Sequence, residues 1–547
     1  MRNINIVSER RDILFLKKVY LENFRKFRQA GIELNEGTNL IIGQNGSGKS
    51  TLLQAIDITL NQRGNGEWRN GNEYGTLLNI KAKRDFLDDL KQGKEDASFL
   101  PSIKIELFFD DEILGLQGSF FDGINNSLKK EASGVNFTYA FDDSFIDEYN
   151  ELVKSTDLDF IPFEFYRATW QSFSGEVYNF RKNPFKSILI DTDKVKGDSF
   201  KNFTRQFFST LDNEKQHRLS LSLKSHINNF NLSIRNGEIE VDRLGIDPTR
   251  LAVKDVLDVF DSKNKELLLR DEGSGEENII KTDLAMSSND SKLVLLEEPE
   301  NHLSFDSARK QISKIEGAES ENRQVIITTH SPLLVSKLRI DNIKWLTSDE
   351  KMVSFDEIPE NTVEFFLKAD NIDVLQVILA KKVVLVEGAT EYILMADMIE
   401  SVLKKTPEEC GIHIVSMAGN YYKRFEEIVK ITKNKVLVIT DNDGSERKIE
   451  NASKLDSENF YVAIQEDTND FTFEVALYKE NAKFFKGSAW KHKSTAEKWK
   501  EHEGLDKELL WLLNNKSEAA FEYSNEFKKG NLTVPEYIKK GLLWLQK

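Results

Sequence analysis

Two groups of residues in this chain have the types and spacing for chemistry on phosphates. The first is Gly43-Gln44-Asn45-Gly46-Ser47-Gly48-Lys49-Ser50, which satisfies GxxxxGK[ST]. Glycines let successive backbone N–H groups curl around phosphate oxygens, Lys49 brings a point charge to the β and γ oxygens, and Ser50 offers its hydroxyl to Mg²⁺. The pattern stands between an apolar run, NLII, and a helix-like STLLQAIDITL, whose N-terminus adds a favourable dipole. Its counterpart is KLVLLEEPE at 292–300, an apolar strand that ends in Glu297 and Glu298. The first carboxylate can hold the Mg²⁺ shell while the second polarises an attacking water. VIITTHSP then sets His330 at the end of the following strand, where an imidazole reaches a γ-phosphate. ATP with Mg²⁺ is the expected ligand.

The second group is acidic. VVLVEGATEYILMADMIE puts Glu387 at the end of an apolar strand, and VLVITDND ends another in Asp441 and Asp443. Parallel order brings the three carboxylates to one sheet edge, and strand alternation across Asn442 is expected to turn both aspartates the same way. Hard oxygen ligands on one rim suit Mg²⁺ or Mn²⁺ rather than Zn²⁺. Two such ions about 4 Å apart can activate water and stabilise a leaving oxygen in phosphodiester cleavage.

These motifs carry two resemblances. The phosphate loop, the Glu297–Glu298 strand, His330 and NFRKF at Asn23–Phe27 resemble the ABC-type, SMC-like ATPase heads of DNA-repair and chromosome-maintenance proteins. Asn45, Gly46, Gly48, Lys49, Ser50 and Thr51 would then hold the nucleotide. DEGSGEENII, with Gly273, Ser274 and Gly275, resembles the signature loop that completes a second copy's nucleotide site, which implies at least a dimer. The strand-end Glu387 and the DxD resemble the Toprim fold of topoisomerases, primases and certain nucleases. A head followed by Toprim in one chain is similar to the overcoming-lysogenization-defect family of nucleases. That resemblance implies antiphage defence and double-stranded DNA as substrate. It adds Glu391 and Glu474 to the metal site, and Lys516 as the cation that stabilises charge on the scissile phosphate. It also implies a homodimer or homotetramer, with room for a helicase or other defence effector as partner. The segment NHLSFDSAR departs from the pattern, since a second His-Pro is more usual there, and LLLRDEG lacks a leucine-serine lead-in to the signature.

The elements that position these residues read as α/β throughout. We expect an ABC-type head over 1–360, with 111–268 an insertion whose dimerisation helices lie around 195–235. A linker at 361–380 and a Toprim, Rossmann-like domain with a helical C-terminal part over 381–547 complete the reading. At 547 residues the chain exceeds one hydrophobic core, and 39% hydrophobic with 30% charged residues is a globular composition. One cysteine, Cys410, permits no internal disulfide and fits a reducing cytoplasm. The N-terminus mixes charges into its apolar residues, unlike a signal peptide, and no run approaches the ~18 apolar residues of a membrane span.

A formal net charge of −16 argues against an indiscriminately basic surface but allows a basic groove. Lys479–Lys500 carries seven lysines with Phe484, Phe485, Trp490 and Trp499 interleaved, suited to phosphates and stacked bases or, equally, to a solvated face over buried aromatics. A smaller candidate interleaves Arg167, Arg181, Lys182 and Lys186 with aromatics. The expected function is an ATP-regulated, divalent-metal-dependent DNA endonuclease. The competing readings are an ATP-driven DNA clamp or sensor whose Toprim domain recruits an effector, and a transporter ATPase subunit.

Overall fold

A computed structural model describes residues 14–62, 71–110, 118–155, 158–192, 203–205, 207–209, 211–236, 244–260, 268–287, 291–318, 323–369, 372–417 and 419–547. The N-terminal stretch 1–13 and much of the expected dimerisation segment before 211 lie outside them. The chain divides into two compact units, one of residues 1–330 with 342–353, the other of 331–341 with 354–547.

The first unit holds two sheets. One is built on β1 (Leu16–Phe24), β2 (Phe27–Glu33), β4 (Ile103–Phe109) and β6 (Ala132–Phe141), in the order β2-β1-β4-β6 and antiparallel. The short β5 (Asp122–Gly123) and β7 (Tyr166–Ser172) both pair with β6. The other sheet runs β12-β11-β3-β10-β9-β8. It comprises β3 (Thr38–Ile42), β8 (Ile188–Asp191), β9 (Leu293–Glu297), β10 (Gln324–Thr328), β11 (Ile343–Leu346) and β12 (Met352–Ser354). Its central pairings are parallel, and both Ile41 and Glu297 stand opposite Thr328. That register puts the ends of three strands, and the loops that leave them, on one edge. Residues 118–192, expected within an insertion, therefore supply strands to both sheets.

Helix α1 (Lys49–Asn61) packs against β1, β4 and β6 on one side and β8, β9 and β10 on the other. A helix enclosed by two sheets is buried nearly all round: Leu52, Leu53, Ile56, Ile58 and Leu60 are fully buried, and Asp57, Thr59 and Asn61 are buried with them. Each of the apolar side chains contributes about 1.5–3 kcal/mol on leaving water. The long α2 (Asn213–Arg235) has the opposite character: Asp212 caps its first turn through Lys215 N at 2.7 Å, and Ile227 is the one buried residue it records. Leu221 and Leu232 are 68% and 51% exposed on it. Helix α3 (Ser274–Ser287) opens at the signature-like glycines.

The second unit is a parallel sheet in the order β14-β13-β15-β16, from β13 (Lys382–Val386), β14 (Ile412–Ser416), β15 (Lys435–Ile439) and β16 (Phe460–Ala463). Val386 stands opposite Ile439, and Ile439 opposite Ala463, so these strands end level. Helices α4 (Ala389–Leu403), α5 (Phe473–Glu480), α6 (Lys516–Lys528) and α7 (Glu536–Gln546) contribute apolar residues to one core with β13 and β15. The stretch expected as a linker carries helices Glu360–Lys368 and Val374–Leu379 and groups with this unit.

Close approach of α7 to the sheet depends on Gly541, where a Cβ would stand 2.6 Å from Leu437 and 3.2 Å from Ala463. Gly541→Val overpacks that contact and is expected to destabilise the second unit by about 1–3 kcal/mol, read as a lower denaturant midpoint at unchanged m-value.

Candidate active sites

In the first unit the phosphate loop leaves β3 and enters α1 through Gly48, whose φ of 111° no L side chain adopts comfortably and whose Cβ would lie 2.7 Å from the Phe27 ring. The cradle is thus closed from behind by β2. Lys49 Nζ donates to the Gly43 carbonyl at 3.1 Å and stands 2.6 Å from His330 Nε2. An ammonium only donates, so Nε2 accepts and the ring proton is assigned to Nδ1. Burial, then the Lys49 charge, lowers the His330 pKa, which keeps the ring neutral. Burial also lowers Lys49, against the resisting charges of Glu298, Glu297 and Glu300.

Glu298 Oε1 lies 3.4 Å from His330 Nε2, and its Oε2 accepts from Asn301 Nδ2 at 3.0 Å. Its φ of 43° turns the chain out of the strand directly after Glu297. Glu300, behind them, accepts from Thr329 Oγ1 at 2.5 Å and His330 N at 3.1 Å, and burial raises its pKa. Asn45, Gly46 and Ser50 are exposed at the mouth, while Thr51 is buried in the first turn of α1. The residues fit a nucleotide with Mg²⁺: a glycine cradle, a cation, an exposed hydroxyl and strand-end acids stand together.

Gly273, Ser274 and Gly275 stand at the start of α3. A Cβ on Gly275 would lie 2.6 Å from the His302 carbonyl, while one on Gly273 would meet nothing within 4 Å. Asn278 of the same helix donates to the Pro299 carbonyl at 2.8 Å, so α3 is tied to the turn that follows the acidic strand. Lys26, which belongs to NFRKF but was not singled out there, donates to the Gly46 carbonyl at 2.7 Å.

In the second unit Glu387 follows β13 and accepts from Thr440 Oγ1 at 2.5 Å, with Asp441 N at 3.4 Å. Asp441 accepts from Gln465 Nε2 at 3.0 Å, and the same amide reaches the Tyr537 hydroxyl at 3.2 Å. Glu391, in the first turn of α4, and Glu474, in the first turn of α5, are buried. Lys516 Nζ donates to Glu474 Oε2 at 2.7 Å. Burial works to lower the Lys516 ammonium, but Glu474, Asp441 and Glu391 outweigh it and hold it above the usual lysine range. Burial, then the Glu391 charge, raises Asp441 well above the carboxylate range. Burial, with help from Glu474 and Glu387, pushes Glu391 up to about 7. These four carboxylates and one ammonium form one electrostatic group.

Asp443 departs from the expected orientation. β15 ends at Ile439, so no strand alternation reaches either aspartate, and the backbone at Asp443 is left-handed, with a φ of 47°. Asn442 turns inward to the Gln465 and Asp467 carbonyls, while Asp443 is 58% exposed and paired with Lys448. Among the described residues no three acidic, histidine or cysteine side chains form a ready ligand cluster. The donor set of Glu387, Glu391, Asp441 and Glu474 is nonetheless hard oxygen, and its raised carboxyls are those a divalent cation would return to the charged form.

Of the lysine-rich segment's aromatics, Phe485 and Trp490 are buried against one another and Tyr523, and Trp499 stacks on Phe471 at 5.8 Å. The reading as a solvated face over buried aromatics is the one observed. Lys486 and Lys493 pair with Asp506 and Glu508. The sequence reading missed Thr440, Gln465 and Tyr537. A polar residue closing the apolar run FYVAI was the available signal for Gln465; Tyr537 had none.

Residues 378–443 match the family described as overcoming lysogenization defect protein-like, TOPRIM domain, and residues 15–266 match an AAA ATPase domain family. The chain thus combines a region similar to an AAA ATPase domain with one similar to the TOPRIM domain of overcoming-lysogenization-defect-like proteins. It is 23% identical to Endonuclease GajA of Bacillus cereus (strain HuB5-5), over 98% of this chain and 99% of that one. A DNA double-strand break repair Rad50 ATPase of Methanococcus maripaludis is 45% identical over 47 residues, 9% of this chain and only 5% of the relative. The SmcHead bound to the C-winged helix domain of ScpA is 13% identical at a TM-score of 0.33, over 60% of this chain and 94% of that one, a likeness too loose to bear on function.

A carboxyl raised in the folded state to about 7, from its ordinary 4.5, binds more protons folded than unfolded between those values. Its contribution therefore falls as pH rises through that window, by up to about 3 kcal/mol. In chelator, Glu391→Gln is expected to raise the melting temperature at pH 8 and to flatten its fall between pH 4.5 and 7, checked by thermal melts across that range.

Proposed function

We propose that this chain is an ATP-regulated, divalent-metal-dependent DNA endonuclease that acts in antiphage defence. The observation that carries this reading is the electrostatic group at the second unit's sheet edge, where Glu391, Asp441 and Glu474 crowd around Lys516. A scaffold gains nothing from gathering like charges in a buried place. Glu387, Glu391, Asp441 and Glu474 would hold the cation, with Asp443 as a further ligand once released from Lys448. Magnesium or manganese, when bound, supplies activation of water and stabilisation of charge on the leaving oxygen.

The chain's own residues divide the remaining work. Gln465 and Tyr537 fix Asp441, Thr440 fixes Glu387, and Lys516 is the one cation of the group, suited to charge developing on a scissile phosphate. In the first unit Lys49, Ser50 and Glu297 would hold ATP and Mg²⁺, while Glu298 and the neutral His330 orient the attacking water. The relative named an endonuclease, aligned from end to end, supports cleavage. Exposed Leu221 and Leu232 on α2 support a homodimeric or tetrameric assembly.

Plasmid DNA incubated with Mg²⁺ or Mn²⁺, with ATP, a non-hydrolysable analogue or neither, tests the proposal. Wild type is expected to nick or linearise it, Asp441→Ala to abolish cleavage, and Lys516→Ala to slow it roughly 10²-fold. Lys49→Ala is expected to cleave but to lose its response to nucleotide. Plasmid left intact under every nucleotide condition, or cleavage indifferent to Asp441→Ala, would overturn the reading in favour of an ATP-driven clamp.

A further inference from the structure

Between the paired Phe24 and Phe27, the turn from β1 to β2 has two residues, Arg25 and Lys26. Left-handed backbone at Asn23 and Arg25, with φ of 53° and 48°, folds it tightly. A buried asparagine holds that shape. Asn79 Nδ2 donates to the Arg25 carbonyl at 2.7 Å and to the Lys26 carbonyl at 2.9 Å, and its backbone N–H donates to the Asn23 carbonyl at 2.9 Å. Its Oδ1 accepts from Lys81 N at 2.9 Å, so the same residue caps the helix Ile80–Lys91. Both carbonyls of the turn are thus fixed, and the Lys26 side chain runs to the phosphate loop, where Nζ donates to the Gly46 carbonyl at 2.7 Å.

That carbonyl is the one hydrogen-bond partner Lys26 has among the described residues, and it takes one of the three donors of an ammonium. The tip of the loop is open beside it, since a Cβ on Gly46 would meet nothing within 4 Å. Lys26 also acts on Lys49. Burial does most to lower the Lys49 pKa, and the Lys26 charge adds to it, against the pull of Glu298, Glu297 and Glu300. Two ammonium groups that repel one another at a single loop cost stability, and an anion that touches both gains attraction from each.

We propose that Lys26 is a second phosphate-binding cation of this site, which keeps one donor on the Gly46 carbonyl and offers the others to the terminal phosphate, and so sets a preference for ATP over ADP. The proposal rests on the reading of the first unit's site as one for ATP with Mg²⁺. Lys49 serves the β and γ oxygens, and an ammonium whose charge is felt at Lys49 meets that end of the nucleotide rather than the base. A lysine that only tied the loop would need no charge, because any N–H donor satisfies a carbonyl.

Calorimetric titration of the full chain with ATP and with ADP, each with Mg²⁺, reads binding at the loop as the event that Lys49→Ala removes from wild type. Lys26→Gln keeps an N–H for the Gly46 carbonyl and loses the charge; it is expected to weaken ATP roughly tenfold and ADP much less. Lys26→Arg, which keeps both, is expected to recover most of that loss. Thermal melts without nucleotide are expected to be unchanged in both variants. Should Lys26→Gln melt early, the ratio of ATP to ADP affinity is read instead, since a loosened loop lowers both alike. ATP binding by Lys26→Gln equal to wild type, or an equal loss for ATP and ADP, would overturn the proposal and leave the ATP reading standing. Wild type that binds neither nucleotide would overturn both.

Discussion

Carboxylates gathered at one buried sheet edge repel one another, and the second unit is organised around that repulsion. Two like charges about 4 Å apart cost about 4 kcal/mol at an effective dielectric of about 20, comparable with much of a domain's net stability. Glu391, Asp441 and Glu474 feel one another and Glu387, and the fold offsets this in two ways. Lys516 places one ammonium directly on Glu474, and proton uptake relieves Asp441 and Glu391. Only the second device is readily reversed. On the proposed reading a divalent cation would compete with those protons for the carboxylate oxygens while Lys516 keeps its hold on Glu474.

The first unit meets the mirror-image demand. Lys49 is a buried cation whose charge is supported by Glu298, Glu297 and Glu300, while His330, kept neutral by burial and then by that same charge, accepts from it. The geometry follows from α1 being enclosed between two sheets. Because the helix is buried almost all round, its first turn has little room to shift. Phe27 backs Gly48, and Lys26 ties the tip of the loop to the turn between β1 and β2. Preorganisation of that kind lowers the ordering cost of binding phosphate.

The parts of this architecture that were legible in the sequence are those whose physics is local. Buried parallel strands read as apolar runs, so NLII, KLVLLEE, VIITTH, VVLVEG and VLVITD announced β3, β9, β10, β13 and β15, and the residues after them announced the acidic edge. What escaped is non-local or concerns a single dihedral. The strand Ile188–Asp191 is four residues long and becomes an edge of the parallel sheet only by pairing with β9, a hundred residues later. Asp443 was expected to follow Asp441 because a strand alternates, yet β15 ends at Ile439 and the backbone turns left-handed at Asp443, and nothing in DND distinguishes the two outcomes. The lysine-rich segment was ambiguous because aromatic spacing reads alike for stacking on bases and packing in a core; Trp490 against Tyr523 decides it for the core.

Asp443 shows why a misread orientation matters to the chemistry. Its exposed carboxylate is held by Lys448, five residues on, in an ion pair of the kind that contributes little to stability at a surface. Such a pair is readily exchanged, whereas the Lys516–Glu474 pair, with its carboxylate buried, is not. The two lysines thus hold unequal grips on the edge: one pairs with an exposed acid, and the other sets a positive charge beside buried ones. On the proposed reading, a cation would enter by breaking only the weaker pair, which would leave Lys516 in place to face a phosphate.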